Sequence, residues 1–316
     1  MTPRIPQDQP LFFLIGPTAA GKSALALEVA ERAGAEILSL DSMQVYRGMD
    51  VGTAKPSAAE RARVPQHLID LVEPTERYHA HRYLEDAARA WHAVRERGRP
   101  ALFVGGTGLY LKALTHGLFE GAPHDPELRE DLNLRAAAEG SPALHAELSA
   151  VDPAAAARIH PNDAKRVVRG LEVFRGSGRR LSELQEEWKR AADGRPRTVV
   201  GVTPAPERLE QRIRARTRAM LAAGWIDEVR ALLAAGGFGP TSAQALGYPE
   251  IRAHLAGELD AAELEAAIAL RTRQFARRQR TWFRSFPETV WVDPEPDREA
   301  VNAKRAPEQV LQALAW

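Results

Sequence analysis

The residues best suited to chemistry form a glycine-rich segment near the start of the chain. Positions 16–23 read GPTAAGKS, which fits the pattern G-x-x-x-x-G-K-[ST] directly after an apolar run. Glycines let the backbone curl so that successive N–H groups face a phosphate, and the N-terminus of a following helix adds its partial positive charge. We therefore expect the phosphates of a small substrate to bind at Gly16, Pro17, Thr18, Ala19, Ala20, Gly21, Lys22 and Ser23.

Two side chains of this loop add specific chemistry. Lys22 supplies a mobile positive charge for the outer phosphate, and the Ser23 hydroxyl is a ligand for Mg²⁺. The loop thus predicts Mg²⁺ as a cofactor. It predicts phosphate binding strongly, but it does not specify the reaction.

A candidate general base follows the second predicted strand. The run 35–40 is followed by DSMQ, which begins with Asp41. Parallel strands end at one edge of a sheet, so the Asp41 carboxylate is expected near the phosphate loop, although a helix N-cap or a solvated loop acid fits the same pattern. The next strand, 100–104, leads to glycines and Thr107 rather than to the acid that ATPases use on magnesium. These residues disfavour an ATPase motor.

Arg216 is a candidate anion-binding residue inside a predicted helix, 206–235. The apolar positions of this helix recur at helical spacing, at Leu209, Ile213 and Met220. Arg216 falls on or beside that face, where an unpaired charge is costly. We expect an anion there, either a protein carboxylate or a substrate phosphate, since a guanidinium suits both. The neighbouring arginines predicted to lie on flanking or solvated faces are Arg212, Arg214 and Arg218.

Two other segments are locally basic. Positions 271–284 contain six arginines and no acid, interleaved with aromatic residues. On a helix this gives a cationic face that suits RNA, because uncompensated charge is otherwise self-repelling; the aromatic residues fit a protein core at least as well. The second cluster, interrupted by Glu172, comprises Lys165, Arg166, Arg169, Arg175, Arg179 and Arg180.

Composition limits the remaining classes. The formal net charge of the 316 residues is +1, so no global field directs the chain to nucleic acid or membrane. The absence of cysteine excludes disulfides, thiolate metal sites and cysteine nucleophiles, and the nine histidines lack zinc-binding spacing. No apolar run is long enough to span a bilayer, and we expect a soluble cytoplasmic monomer that does not contact membranes.

The elements that must position these residues alternate along the chain. We predict strands at 11–15, 35–40, 100–104, 198–203 and 289–292, and helices at 21–33, 83–97, 206–235 and 261–286, with a short C-terminal helix. This alternation predicts an α/β fold, a P-loop NTPase-like parallel sheet flanked by helices. Residues 121–197 are helical by pattern without a convincing strand. We therefore predict a helical insertion domain there, between a first part of the core, 1–120, and its completion, 198–316.

These motifs together resemble the tRNA dimethylallyltransferase (isopentenyl-tRNA transferase) family over nearly the whole chain. The matching segments are GPTAAGKS at 16–23, DSMQVYRGMDVGTAKP at 41–56, VGGTGLYLKAL at 104–114, DPELR at 125–129, IHPNDAKRVVRGLEVF at 159–174, GWIDEV at 224–229, ALGYPEI at 245–251 and RRQRTWFR at 277–284. The resemblance implies transfer of a dimethylallyl group from dimethylallyl diphosphate to N6 of adenosine-37, next to the tRNA anticodon, with release of pyrophosphate. The implied partners are therefore dimethylallyl diphosphate and the anticodon stem–loop of tRNA.

The resemblance also implies roles for individual residues. Asp41 matches the general base for N6, and Lys22, Thr107 and Arg216 match residues at the leaving group or substrate. The positions that match tRNA-contacting segments are Asp41, Ser42, Met43, Gln44, Thr107, Arg129, Lys165, Arg166, Val167, Val168, Arg169, Gln244, Ala245, Leu246, Gly247, Tyr248, Pro249, Arg277, Arg278, Gln279, Arg280, Thr281, Trp282, Phe283 and Arg284. Two positions depart from the family: Ala20 replaces a frequent serine, and Pro249 replaces a common basic residue, so we expect a phosphate contact to be missing there.

Two other functions fit the same residues. A P-loop kinase of a small metabolite would use the same phosphate loop. A nucleotide-gated RNA-binding module without catalysis would use the loop and the basic segments, but Asp41 at the strand end argues against it.

Overall fold

The computed structural model describes residues 4–118, 125–190, 195–294 and 306–316. The strands are β1 (Leu11–Ile15), β2 (Glu36–Leu40), β3 (Gln66–His67), β4 (Ala101–Gly105), β5 (Arg197–Val202) and β6 (Val290–Val292). The helices are α1 (Lys22–Ala33), α2 (Ala58–Arg63), α3 (Ala80–Glu96), α4 (Gly108–His116), α5 (Pro126–Ala138), α6 (Ser141–Val151), α7 (Pro153–Ala156), α8 (Ala164–Ser177), α9 (Leu181–Arg190), α10 (Pro206–Ala222), α11 (Trp225–Ala234), α12 (Tyr248–Leu255), α13 (Ala261–Phe283) and α14 (Ala306–Leu314), with a 3-10 helix at Ser242–Gln244. Of the helices described, none combines the length and the apolar character needed to cross a membrane.

All six described strands form one parallel sheet in the order β3-β2-β4-β1-β5-β6. The central strand β1 pairs with β4 and β5, which places Ile15 beside Gly105 and Gly201. Leu40 at the end of β2 is also beside Gly105. The loops that follow β1, β2 and β4 therefore begin at one edge of the sheet, as the sequence pattern predicts. This sheet and its flanking helices confirm the predicted α/β class.

Helices cover the sheet because its strands are apolar on both faces. Leu14 and Leu102 share one buried cluster with residues of α1 and α14. The helix α3 packs against β2 and β4 and buries Tyr83, whose hydroxyl donates to the Ser39 carbonyl oxygen at 3.0 Å. Burial on both sides holds the strand ends, and hence the loops that follow them, in fixed register.

The predicted helix 206–235 is wrong in one respect, because it is two helices. The first, α10, ends at Ala222, and α11 begins at Trp225. Gly224 between them has a φ of 93°, a conformation that glycine adopts without strain. The turn allows Trp225 to be buried. The sequence pattern does not predict β3 or α12, which are too short to show a clear periodicity.

The chain divides into two compact units. One comprises Met1–Lys112 and Arg195–Trp316 and contains the sheet, and the other comprises Ala113–Gly194. The second unit has its own core, in which Leu144 and Leu148 of α6 pack with Val167 and Leu171 of α8. Its described residues form helices and no strand. The predicted boundary at 120–121 lies outside the described residues, so the predicted domain limits stay predictions.

Candidate active site

The glycine-rich loop lies between β1 and α1, which is the context that its pattern requires. Gly16 tolerates no side chain, because a Cβ there would lie 2.3 Å from the carbonyl oxygen of Val202. Ala19 has a φ of 62°, and Gly21, the N-cap of α1, has a φ of 89°. These conformations curl the backbone ahead of Lys22 at the positive end of the helix.

Lys22 crosses this loop. Its Nζ donates to the carbonyl oxygen of Pro17 at 2.6 Å. Burial lowers the pKa of Lys22 to about 7; the positive charge of Arg216 lowers it further, and the Asp41 carboxylate partly offsets both effects. A bound anion would raise this pKa and stabilise the ammonium form.

Arg216 lies on α10 in the same charged site. Burial lowers the pKa of Arg216, and the negative charge of Asp41 raises it. The guanidinium has no hydrogen-bond or ion-pair partner within the described part of the chain. The sequence predicts either of two anions beside Arg216, a protein carboxylate or a substrate phosphate. The protein supplies the Asp41 carboxylate nearby, but this carboxylate forms no direct ion pair with Arg216. The buried face of α10 runs through Ile213 and Thr217, whereas Met220 is only half-buried.

Asp41 lies directly after β2, and one of its two carboxylate oxygens accepts a hydrogen bond within the turn that Asp41 begins. Its Oδ1 accepts from the Met43 N–H at 2.8 Å. The Ser42 N–H donates to the Thr107 hydroxyl oxygen at 3.0 Å, and the Thr107 N–H donates to the Leu40 carbonyl oxygen at 3.0 Å. The loops after β2 and β4 are therefore bonded to each other. Asp41 is partly exposed.

Two residues from helices that are distant in the sequence form hydrogen bonds with the phosphate loop. Arg212 on α10 is partly exposed and donates to the Ala20 carbonyl oxygen at 3.0 Å, a contact that its predicted place on a flanking or solvated face does not include. Gln279 on α13 accepts from the Thr18 N–H at 2.9 Å. Each lies more than 190 positions from its partner, with separations of 192 and 261. Local spacing therefore gives no signal for either contact.

The predicted tRNA contacts on α13 differ in exposure. Arg277, Arg280 and Arg284 line a groove of about 450 Å³ between α10 and α13, and form no ion pair with any described residue. Arg273 differs, since it pairs with Glu210 at 2.7 Å. Of the residues in this segment, Trp282 is 40% exposed, whereas Gln279 and Phe283 are buried. The exposed side chains of this segment therefore include Arg277, Trp282 and Arg284.

The other predicted tRNA contacts of this unit include internally bonded side chains. The Gln44 amide accepts from the Ser39 hydroxyl at 2.9 Å and donates to the carbonyl oxygens of Thr53 and Ala54 at 3.3 Å. Tyr248 is fully buried, and its hydroxyl donates to Glu228 at 2.7 Å. The side chains of Gln44 and Tyr248 therefore shape the protein around them.

In the second unit, two predicted tRNA-binding arginines share one carboxylate. Glu172 is fully buried; Arg169 donates to its Oε2 at 2.7 Å, and Arg129 lies 3.7 Å from the same oxygen. About a third of each arginine side chain stays exposed, at 30% and 34%. Val167 and Val168 are buried in the core of this unit.

The predicted magnesium ligand, Ser23, is exposed in the first turn of α1. Within the described ranges, no group of three or more histidine or acidic side chains could hold a metal by itself. Mg²⁺ commonly keeps several waters and binds substrate phosphates with only one or two protein ligands. A single hydroxyl beside the phosphate loop fits that mode of binding.

Two family models match this chain. The model described as "Isopentenyl transferase" matches residues 9–70, and the model described as "IPP transferase" matches residues 44–286. The chain belongs to the IPP transferase family. This membership confirms the family predicted from the sequence, and the two ranges together include every site residue of this IPP transferase from Gly16 to Arg284.

Relatives and solved structures agree with the assignment to the IPP transferases. A tRNA dimethylallyltransferase of Geobacter metallireducens is 49% identical over 284 residues, which cover 90% of this chain and 92% of the relative. The full-length tRNA isopentenylpyrophosphate transferase of Bacillus halodurans is 35% identical with a TM-score of 0.67, covering 97% of this chain and 94% of that chain. A eukaryotic dimethylallyltransferase acting on tRNA is 26% identical with a TM-score of 0.77, covering 96% of this chain and 78% of that chain.

Proposed function

We propose that this enzyme transfers the dimethylallyl group of dimethylallyl diphosphate to N6 of the adenosine 3′-adjacent to the anticodon of tRNA, with release of pyrophosphate. The observation that carries the proposal is the coupling of Asp41 to Lys22 and Arg216 in one charged site. Two cations beside a loop of N–H groups suit a departing diphosphate, and one carboxylate suits the removal of a proton.

The cations stabilise the leaving group. As N6 attacks, the bond between the allylic carbon and the diphosphate oxygen breaks, and its electron pair goes to pyrophosphate. The growing negative charge lies against the loop N–H groups, the Lys22 ammonium and the Arg216 guanidinium. When bound beside Ser23, Mg²⁺ would supply further positive charge to the phosphate oxygens.

The Asp41 carboxylate accepts the proton that N6 loses. Adenine N6 is a weak nucleophile, and a positioned base contributes about 10²–10⁴-fold to such a step. The Met43 N–H fixes the carboxylate through Oδ1, which orients Oδ2 for the substrate. The Thr107 hydroxyl accepts from Ser42, so its own hydrogen remains for a substrate oxygen or nitrogen. The adenosine must leave its base stack to reach these groups.

We infer that exposed arginines of both units bind the anticodon stem–loop. Arg277, Arg280 and Arg284 have no carboxylate partner among the described residues, which supports their binding to phosphates. Arg129 and Arg169 are held side by side by Glu172, which supports a similar role for them. The buried residues of the predicted tRNA segments would act by supporting these contacts.

We also infer that the enzyme acts in the cytoplasm, as a monomer. The residues assigned to the leaving group and the base all come from one chain, so a second copy is not required to complete the site. Light scattering after gel filtration would test the monomer.

Incubation with isotopically labelled dimethylallyl diphosphate, Mg²⁺ and an anticodon stem–loop tests the reaction. We expect labelled dimethylallyladenosine in the digested RNA and one pyrophosphate per transfer, and neither with an RNA that has guanosine at the target position. Asp41→Asn should lower transfer at least 100-fold while RNA binding stays within twofold, and Asp8→Asn, a change at an exposed acid, should do neither. Undiminished transfer by Asp41→Asn would remove Asp41 from the mechanism. Phosphorylation of a metabolite from ATP, without transfer to RNA, would replace the proposal with a kinase.

A further inference from the structure

Gln279 connects two loops of the active site. Its Oε1 accepts from the Thr18 N–H at 2.9 Å, and its Nε2 donates to the Gly106 carbonyl oxygen at 2.8 Å. One partner is a donor and the other is an acceptor, so they fix the orientation of the amide. The side chain is only 7% exposed. Gln279 therefore faces the phosphate loop, although it belongs to a segment predicted to bind tRNA.

The backbone of the β4–α4 loop approaches α13 closely enough to make this contact. A Cβ at Gly106 would lie 2.4 Å from Gln279 Nε2, and a Cβ at Gly108 would lie 2.1 Å from the Trp282 ring. A side chain at Gly106 would displace the end of the Gln279 side chain, and one at Gly108 would displace the Trp282 ring. This close packing keeps the Gln279 amide between the two loops.

The connection continues to the proposed base. Gly106 precedes Thr107, whose hydroxyl accepts from the Ser42 N–H in the loop of Asp41. Gln279 therefore links Thr18, in the diphosphate loop, to the loop that holds the base. Loss of this link would remove the side-chain bridge between the two loops.

We propose that Gln279 is a positioning residue for the diphosphate site, which acts by fixing the Thr18 N–H and the Gly106 carbonyl relative to each other. This role rests on the proposed function, because the anion in question is the diphosphate of the prenyl donor. Arg278 and Arg280 flank Gln279 on α13. The helix thus presents arginines to RNA and a glutamine to the phosphate loop.

Binding of magnesium pyrophosphate, measured by calorimetry without RNA, tests this assignment. We expect Gln279→Leu to weaken pyrophosphate binding at least tenfold and to leave the affinity for the anticodon stem–loop within twofold. Gln274 lies on the same helix and is exposed, so Gln274→Leu is the matched control and should change neither affinity. Unchanged pyrophosphate binding by a folded Gln279→Leu protein, or a loss confined to RNA binding, would overturn the proposal.

Gln279→Glu provides a second readout if the leucine variant does not fold. A protonated carboxyl has one acceptor and one donor, as the amide has, whereas the ionised form loses the donor to Gly106. Relative to wild type at each pH, pyrophosphate binding by Gln279→Glu should therefore improve as the pH falls. Dividing the pyrophosphate affinity of the variant by that of the wild type cancels the titration of Lys22 and of pyrophosphate itself. For the control, Gln274→Glu, this ratio should not depend on pH. A flat ratio for Gln279→Glu would contradict the positioning role.

The transfer assay separates this inference from the proposed function. Loss of pyrophosphate binding in Gln279→Leu would support the inference even if the wild-type protein transferred no dimethylallyl group to RNA. That second result would overturn the proposed function alone. Active transfer by the wild type, with unaltered pyrophosphate binding by Gln279→Leu, would overturn the inference alone.

Discussion

The Ser42 N–H donates to the Thr107 hydroxyl oxygen over 3.0 Å, and this bond joins the loops that follow two neighbouring strands. Ser42 is adjacent to the proposed base, Asp41, and Thr107 is one residue from the carbonyl that Gln279 holds. Chains of such bonds position catalytic groups because each member restricts the next. Backbone contacts as well as charged side chains therefore shape the active-site edge of this enzyme.

Removal of the Thr107 hydroxyl should slow transfer. Thr107→Val keeps the shape of the side chain but leaves the partly buried Ser42 N–H without its acceptor, a loss of about 1 kcal/mol. We expect kcat to fall at least tenfold. Thr107→Ser keeps a hydroxyl and should recover most of the activity. Steady-state kinetics with a stem–loop substrate would measure both, and equal rates for Thr107→Val and wild type would exclude the hydroxyl from the reaction.

The low pKa of Lys22, about 7, predicts that pyrophosphate affinity depends on pH. Below this pKa the free enzyme carries the ammonium, and above it the amine predominates. Because an anion binds the ammonium more strongly, affinity should fall as the pH rises above 7, by up to about tenfold per unit. Lys22→Met lacks the amine, so this variant should bind pyrophosphate more weakly. The ratio of its pyrophosphate affinity to that of the wild type should change through the same pH range. A ratio independent of pH would contradict the prediction.

Replacement of the two charged neighbours of Lys22 should shift the midpoint of the Lys22 titration in opposite directions. The Arg216 charge lowers the pKa of Lys22, so Arg216→Gln should raise the midpoint while weakening pyrophosphate binding. The Asp41 charge raises that pKa, so Asp41→Asn should lower the midpoint. Pyrophosphate affinities would be measured at several pH values. Each affinity, divided by the affinity of the same variant carrying Lys22→Met, would give the midpoint of the Lys22 titration. Shifts of the same sign would show that the charges do not act on Lys22 as proposed.

The sequence predicts the local parts of this site and not its distant supports. The motif around Lys22 and the acid at the end of β2 are recognisable because a strand, a loop and a helix lie consecutively in each case. Arg212 and Gln279 are not recognisable in this way, since their loop partners lie far away in the sequence. The sheet order likewise requires long-range pairing.

Exposure is equally hard to predict from a motif. The segment 277–284 alternates between outward arginines and buried residues such as Phe283. A helical period indicates that such faces exist, but only packing against α10 and the β4–α4 loop determines which residue lies on which face. The sequence therefore predicts a basic RNA-binding helix, but it does not show that Gln279 faces the phosphate loop.

Glu172 should support RNA binding by the second unit. Its buried carboxylate holds Arg169 at 2.7 Å and lies near Arg129, so Glu172→Gln should free both guanidinium groups. We expect RNA affinity to fall about threefold to tenfold, with pyrophosphate affinity unchanged. Glu147→Gln is the control, because Glu147 pairs with Arg135 and Arg175 rather than with these two arginines. Equal RNA affinity for the two variants would argue against a role for the Glu172 pair.

Glu228 should stabilise the long loop after β2. Its carboxylate accepts from the N–H groups of Asp50 at 2.8 Å, Val51 at 2.6 Å and Gly52 at 3.2 Å, and from the Tyr248 hydroxyl at 2.7 Å. Hydrogen bonds to a charged acceptor contribute about 1.5–3 kcal/mol each, so Glu228→Gln should lower the free energy of unfolding by about 2 kcal/mol. The neighbouring exposed acid provides the control, and Asp227→Asn should change stability by less than about 0.5 kcal/mol. Urea denaturation would measure both values. If Glu228→Gln were as stable as Asp227→Asn, the loop would hold its conformation without the Glu228 carboxylate.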